Sequence, residues 1–114
     1  MRGCPGSIVL ALTLSIAGTP GDARAAGDVK AGRAKAIMCQ ACHGLDGRSQ
    51  VPDAPNIAGQ VPGYLATQLQ AFKSGARKNE TMSVVAATLS DQDIENLAAY
   101  FSAVEIQIGK VPGD

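Results

Sequence analysis

The sequence predicts an all-α domain in which three main helices are joined by long loops that enclose a bound group. Apolar residues recur at helical spacing in three places, and no stretch alternates polar with apolar as a half-buried strand would. Two long segments lie between the helices, 44–61, which is rich in glycine, proline and polar residues, and 76–89, and loops of that length inside a small domain need something to wrap. Aromatic residues make up only 4% of the 114 residues and Trp is absent, so the chain has few large side chains with which to fill a core.

The N-terminal segment reads as an export signal. Arg2 gives it a positive start, residues 7–17 are an apolar run too short for a permanent membrane span, residues 18–21 break the run, and Ala23-Arg24-Ala25 has the small-x-small form of a cleavage site. Cleavage after Ala25 predicts a periplasmic protein without a stable membrane anchor, with signal peptide 1–25, a folded domain 26–104 and a C-terminal tail 105–114. Cys4 leaves with the signal, so Cys39 and Cys42 are the only thiols of the mature chain and a disulfide-stapled scaffold is excluded. The formal charge is zero, and losing Arg2, Arg24 and Asp22 leaves eight basic and nine acidic residues. With no basic excess to displace counterions, nucleic acid is not an expected partner.

The first helix opens at Asp28 as N-cap, carries Val29, Gly32, Arg33 and Ala36, and runs into Cys39. Gly32 weakens a helix interior and suggests a close crossing by another helix. The second runs from Pro62 or Tyr64 to Phe72, with Leu65, Leu69 and Phe72 on one face and Gly75 as a stop signal. The third begins at Ser90-Asp-Gln-Asp93, which resembles a capping box with Asp in place of Glu, and continues with Ile94, Leu97, Ala98 and Phe101. The segment 76–89, which contains Met82, is expected to be a loop.

The chemistry is concentrated in Cys39-Gln-Ala-Cys42-His43, which contains both mature thiols and the only His. A thioredoxin-like dithiol would sit at the start of a helix after a strand, and no strand precedes it here. A structural zinc site would need a second pair of Cys or His ligands, which the chain lacks. Covalent haem attachment remains: Cys39 and Cys42 each add to a vinyl group to form a thioether, and His43 ligates iron. After processing, Met38 and Met82 are the only methionines; Met38 adjoins the attachment turn, which leaves Met82 as the candidate for the second axial position.

With these residues placed, the sequence resembles the class I c-type cytochromes, in particular the bacterial monohaem c-553 branch and one half of the dihaem cytochromes c4. The resemblance rests on Cys39-Gln-Ala-Cys-His-Gly-Leu-Asp-Gly47, Ala54-Pro-Asn-Ile-Ala-Gly-Gln60, Tyr64-Leu-Ala-Thr-Gln-Leu69, Phe72-Lys-Ser-Gly75, Met82, Leu89-Ser-Asp-Gln-Asp-Ile94 and Leu97-Ala-Ala-Tyr-Phe101. It implies a small class I cytochrome c fold around one haem c, with a hydrogen bond from His43 Nδ1 to the carbonyl of Pro55. It also implies a crossing of the first and last helices that brings Gly32 near Leu97 or Tyr100. A second attachment motif is absent from the sequence, so one haem is expected.

The expected function is one-electron carriage through a His/Met-ligated iron, without enzymatic turnover at the metal. Its expected partners are redox proteins: a dehydrogenase or quinol-oxidising donor and an oxidase or reductase acceptor. Monomeric carriage and service as the cytochrome subunit of a larger periplasmic dehydrogenase are both compatible with the sequence. A haem-based ligand binder is a third reading that requires Met82 not to be bound. Lys73, Arg77 and Lys78 form a basic cluster that reads either as a solvated helix end or as a docking patch for an acidic redox partner.

Overall fold

Asp28 starts the first helix as expected: its backbone is extended and its Oδ1 accepts a hydrogen bond from Ala31 N at 2.6 Å. In the computed structural model, which describes Gly3 and residues 26–113, five α-helical segments follow in order. They are α1 (Val29–Lys35), α2 (Gln40–His43), α3 (Pro62–Ser74), α4 (Glu80–Ala87) and α5 (Asp91–Ser102), with a 3-10 turn at Ala36–Met38 between α1 and α2. No strand occurs among the described residues. The signal peptide, its cleavage after Ala25 and the departure of Cys4 fall outside the described residues. Among those described, no helix is long and apolar enough to cross a membrane.

α1 crosses α5, and α3 packs against both α5 and α4. The crossing is close because Gly32 has no side chain: a Cβ there would overlap the carbonyl of Asn96 and lie 2.7 Å from Tyr100 Cβ. The nearest atoms to that position belong to the Asn96 backbone and to Tyr100. Asn96 Oδ1 accepts from Asp28 N at 2.8 Å, and Lys35 Nζ pairs with Asp93 Oδ2 at 3.0 Å, so the crossing is tied on both sides of Gly32.

The start of α5 is the capping box that its sequence announces. Ser90 Oγ accepts from Asp93 N and Asp93 Oδ2 accepts from Ser90 N, both at 3.0 Å. α3 begins with Pro62 in its first turn and ends at Gly75 in the left-handed region (φ 83°), where a side chain would be strained. Among the described residues the buried apolar side chains are Ala36, Leu65, Phe72, Ala86, Leu89, Ile94, Leu97, Ala98 and Phe101, and only Ile94 and Leu97 are large and wholly enclosed.

Segment 76–89 differs from expectation. It is not a loop throughout: residues 80–87 form α4, with Asn79 as N-cap. The signal was present in the sequence, because Met82, Val85, Ala86 and Leu89 follow i, i+3, i+4, i+7 spacing behind an Asn, and all four are buried or half-buried. Segment 44–61 has no helix, but it is pinned at several points. Gln50 N donates to Cys42 O at 2.8 Å, Ile57 N to Gly47 O at 2.8 Å, and Gly59 N to Phe101 O at 2.8 Å. Beyond α5 the chain is non-helical; Ile106 lies against Gly59, while Ile108 is exposed.

Candidate functional site

Cys39 caps α2, a single helical turn, and that turn carries Cys42 and His43 before Gly44 ends it. His43 is the one buried polar residue among those described. Its Nδ1 donates to Pro55 O at 2.9 Å. Because a carbonyl only accepts, this bond requires a proton on Nδ1, so in the neutral ring the available lone pair lies on Nε2. Segment 44–61 thus serves as more than a connection: it returns Pro55 to orient the imidazole.

His43 lines a cavity of about 560 Å³, and Cys39, Cys42 and Met82 line the same cavity. That volume falls within the roughly 300–1,000 Å³ of small-molecule sites. Each helix of the fold except α1 contributes to its wall. Leu65 and Leu69 come from α3, Val85 from α4, Leu97 and Phe101 from α5, and Val51 and Ile57 from the pinned loop. Met38 is not on the wall. Burial pushes the Cys39 thiol up to about 11, with the Lys35 charge opposing, so an unreacted Cys39 is neutral in the folded chain.

The donor set suits a haem joined to the chain better than it suits a bare ion. Among the described residues, no three His, Cys, Asp or Glu side chains converge to hold a metal ion. Two thiols three residues apart beside an apolar cavity, followed by an imidazole with one nitrogen bonded and the other available, match a flat group held along one edge and ligated at its centre.

The basic cluster is less free than its sequence suggests. Lys73 Nζ pairs with Asp91 Oδ1 at 2.9 Å. The Arg77 guanidinium lies 4.6 Å from the centre of the Phe72 ring and donates to Gln68 Oε1 at 2.6 Å. Lys73 is thereby compensated, and Arg77 and Lys78 are both exposed, Arg77 also lining the cavity.

The family model described as cytochrome c matches residues 29–105, from the first residue of α1 to just beyond α5. Cytochrome c4 of Pseudomonas aeruginosa is 44% identical over 102 residues, which cover 90% of this chain and 49% of that protein. Cytochrome c-554(548) of Halomonas halodenitrificans is 43% identical over 83 residues, covering 70% of this chain and the whole of that protein. In a solved structure, reduced recombinant cytochrome c4 from Pseudomonas stutzeri superposes with a TM-score of 0.68 at 44% identity, over 74% of this chain and 49% of that one. The chain thus spans about half the length of the cytochromes c4 it matches. Fold and comparisons agree, and the chain belongs to the cytochrome c family.

Proposed function

We propose that the protein is a periplasmic one-electron carrier holding a single haem c, tethered by Cys39 and Cys42 and ligated by His43 and Met82. The observation that carries this reading is the His43–Pro55 bond, which keeps Nε2 available on a ring lining the same cavity as Met82. When bound, the haem supplies reversible ferric–ferrous cycling. The residues of the chain do the rest. The two cysteines prevent loss of the group after export. Pro55 fixes the tautomer and orientation of His43 and increases its electron donation. Met82 closes the second face, which favours outer-sphere transfer over binding of a substrate, and its soft thioether favours the reduced state. The apolar wall built by Leu65, Leu69, Leu97 and Phe101 excludes water and works in the same direction.

The proposal includes export through residues 1–25, cleavage after Ala25, no stable membrane anchor, and redox proteins as donor and acceptor. Service as the cytochrome subunit of a larger dehydrogenase would use the same site.

The test is the ferric spectrum and reduction potential of the haem-loaded protein and of Met82→Ala. The unaltered protein should show the weak near-infrared band of sulfur ligation. Met82→Ala should lose it and fall in potential by roughly a tenth of a volt or more, within the about 0.8 V range that axial ligands set. Absence of the band from the unaltered protein, with rapid carbon monoxide binding when reduced, would replace carriage by ligand binding at iron.

A further inference from the structure

The two capped helix starts that flank Leu89 use the same positions differently. On α5 the third helical residue, Asp93, turns its side chain back to the N-cap and completes the capping box. On α4 the third helical residue is Met82, whose side chain lines the cavity instead. The backward bond is still made, but by the next residue: Asn79 N donates to Ser83 Oγ at 3.1 Å. Asn79 Oδ1 in turn accepts from Thr81 N at 3.0 Å and from Met82 N at 2.9 Å, and Ser83 N donates to Asn79 O at 3.0 Å.

We propose that Asn79 and Ser83 are positioning residues for Met82: their reciprocal bonds fix its backbone while leaving its side chain free to ligate. The inference rests on the reading of Met82 as an axial ligand. It follows from where the four bonds lie. α4 has eight residues, too few to hold its own first turn, and unsupported helix starts fray. Met82 lies in that first turn, and its own N–H is one of the two that Asn79 holds. Asn79 is exposed and Ser83 half-buried, so the bonds act on backbone geometry rather than by filling the core. A fraying first turn would move the sulfur away from iron and open the sixth position to an external ligand.

The test uses the haem-loaded protein and reads the sulfur-ligation band together with the affinity of ferric iron for imidazole, which competes with Met82. Asn79→Ala should bind imidazole between about two-fold and thirty-fold tighter, the range spanned by loss of a helix cap. Ser83→Ala should shift it in the same direction by less, and Asn79→Asp, which keeps the acceptor, should restore the original affinity. Ser90→Ala removes the cap of α5 and serves as the control: it should lower the denaturation midpoint without changing imidazole affinity.

Unchanged imidazole affinity in both Asn79→Ala and Ser83→Ala would overturn the inference, as would an equal gain in Ser90→Ala. If the unaltered protein lacks the sulfur band, the ligand reading fails and this inference with it. If the band is present but indifferent to Asn79 and Ser83, only the inference fails. Should Asn79→Ala not yield folded holoprotein, Ser83→Ala decides by the same readout.

Discussion

The α1–α5 crossing and the cavity beside it are held together by different physics. At the crossing, contact is backbone to backbone: Gly32 lets the Asn96 carbonyl in, and the Asp28–Asn96 and Lys35–Asp93 bonds fasten the two sides. At the cavity, α3, α4, α5 and the pinned loop present apolar side chains to a space of about 560 Å³. The first region is complete in itself, whereas the second is shaped for a partner that the chain acquires. Stability and ligation should therefore be separable, and substitutions at the crossing should affect the fold before they affect the iron.

The largest effect is expected from Gly32→Ala. The added Cβ would overlap a backbone carbonyl, which cannot rotate away as a flexible side chain could. Overpacking of this kind costs about 3 kcal/mol, at the upper end of its usual range. Thermal unfolding of the haem-loaded variant should show a midpoint lower by roughly 10 °C or more. Below that midpoint the sulfur-ligation band should match the unaltered protein. Loss of the band while the helices remain folded would show that the two regions are coupled.

The same division explains what could be read in the sequence. Gly32, the Asp28 cap and the Ser90–Asp93 box are local signals, and each predicts a feature of the crossing or of α5 without reference to anything distant. The cluster of Cys39, Cys42 and His43 is equally local, because the three lie within five residues. The start of α4 is less evident, although Asn79 and the spacing of Met82, Val85, Ala86 and Leu89 announce it. α4 is too short to declare itself by length, and it lies in a segment that otherwise reads as a connection between two longer helices. The pairing of Lys73 with Asp91 is hidden for another reason. Lys73 and Asp91 are 18 residues apart and meet only because α5 packs on α3.

Tyr100 bridges the two regions and should give an intermediate effect. It packs edge-on against Phe101, with ring centres 5.0 Å apart, and its hydroxyl donates to Leu45 O at 2.7 Å, two residues after His43. Tyr100→Phe keeps the ring and leaves the half-buried Leu45 carbonyl without this donor, a loss of about 1 kcal/mol. Because the lost bond joins α5 to the segment that follows the attachment turn, a small change in potential should accompany the lower denaturation midpoint. A midpoint shift with no change in potential would place Tyr100 wholly in the crossing.

The smallest effect lies at the surface end of the crossing and depends on pH. The Ser90 backbone N–H holds the Asp93 carboxyl below its usual range, and Lys35 adds to this. A carboxyl depressed by folding contributes stability that is present above its unfolded value, about 4, and is lost as pH falls through its lower folded value. Asp93→Asn should therefore be less stable than the unaltered protein at neutral pH by about 0.5 kcal/mol, the scale of solvent-screened pairs. The difference should vanish in acid, where both chains carry a neutral side chain at position 93. Denaturant midpoints of the two proteins at pH 7 and through an acid series below the unfolded carboxylate value measure this directly, and a gap that does not shrink as pH falls would mean that Asp93 acts through hydrogen-bond geometry rather than through charge. Imidazole affinity should not differ between them at pH 7, because Asp93 belongs to the crossing and lies off the cavity wall.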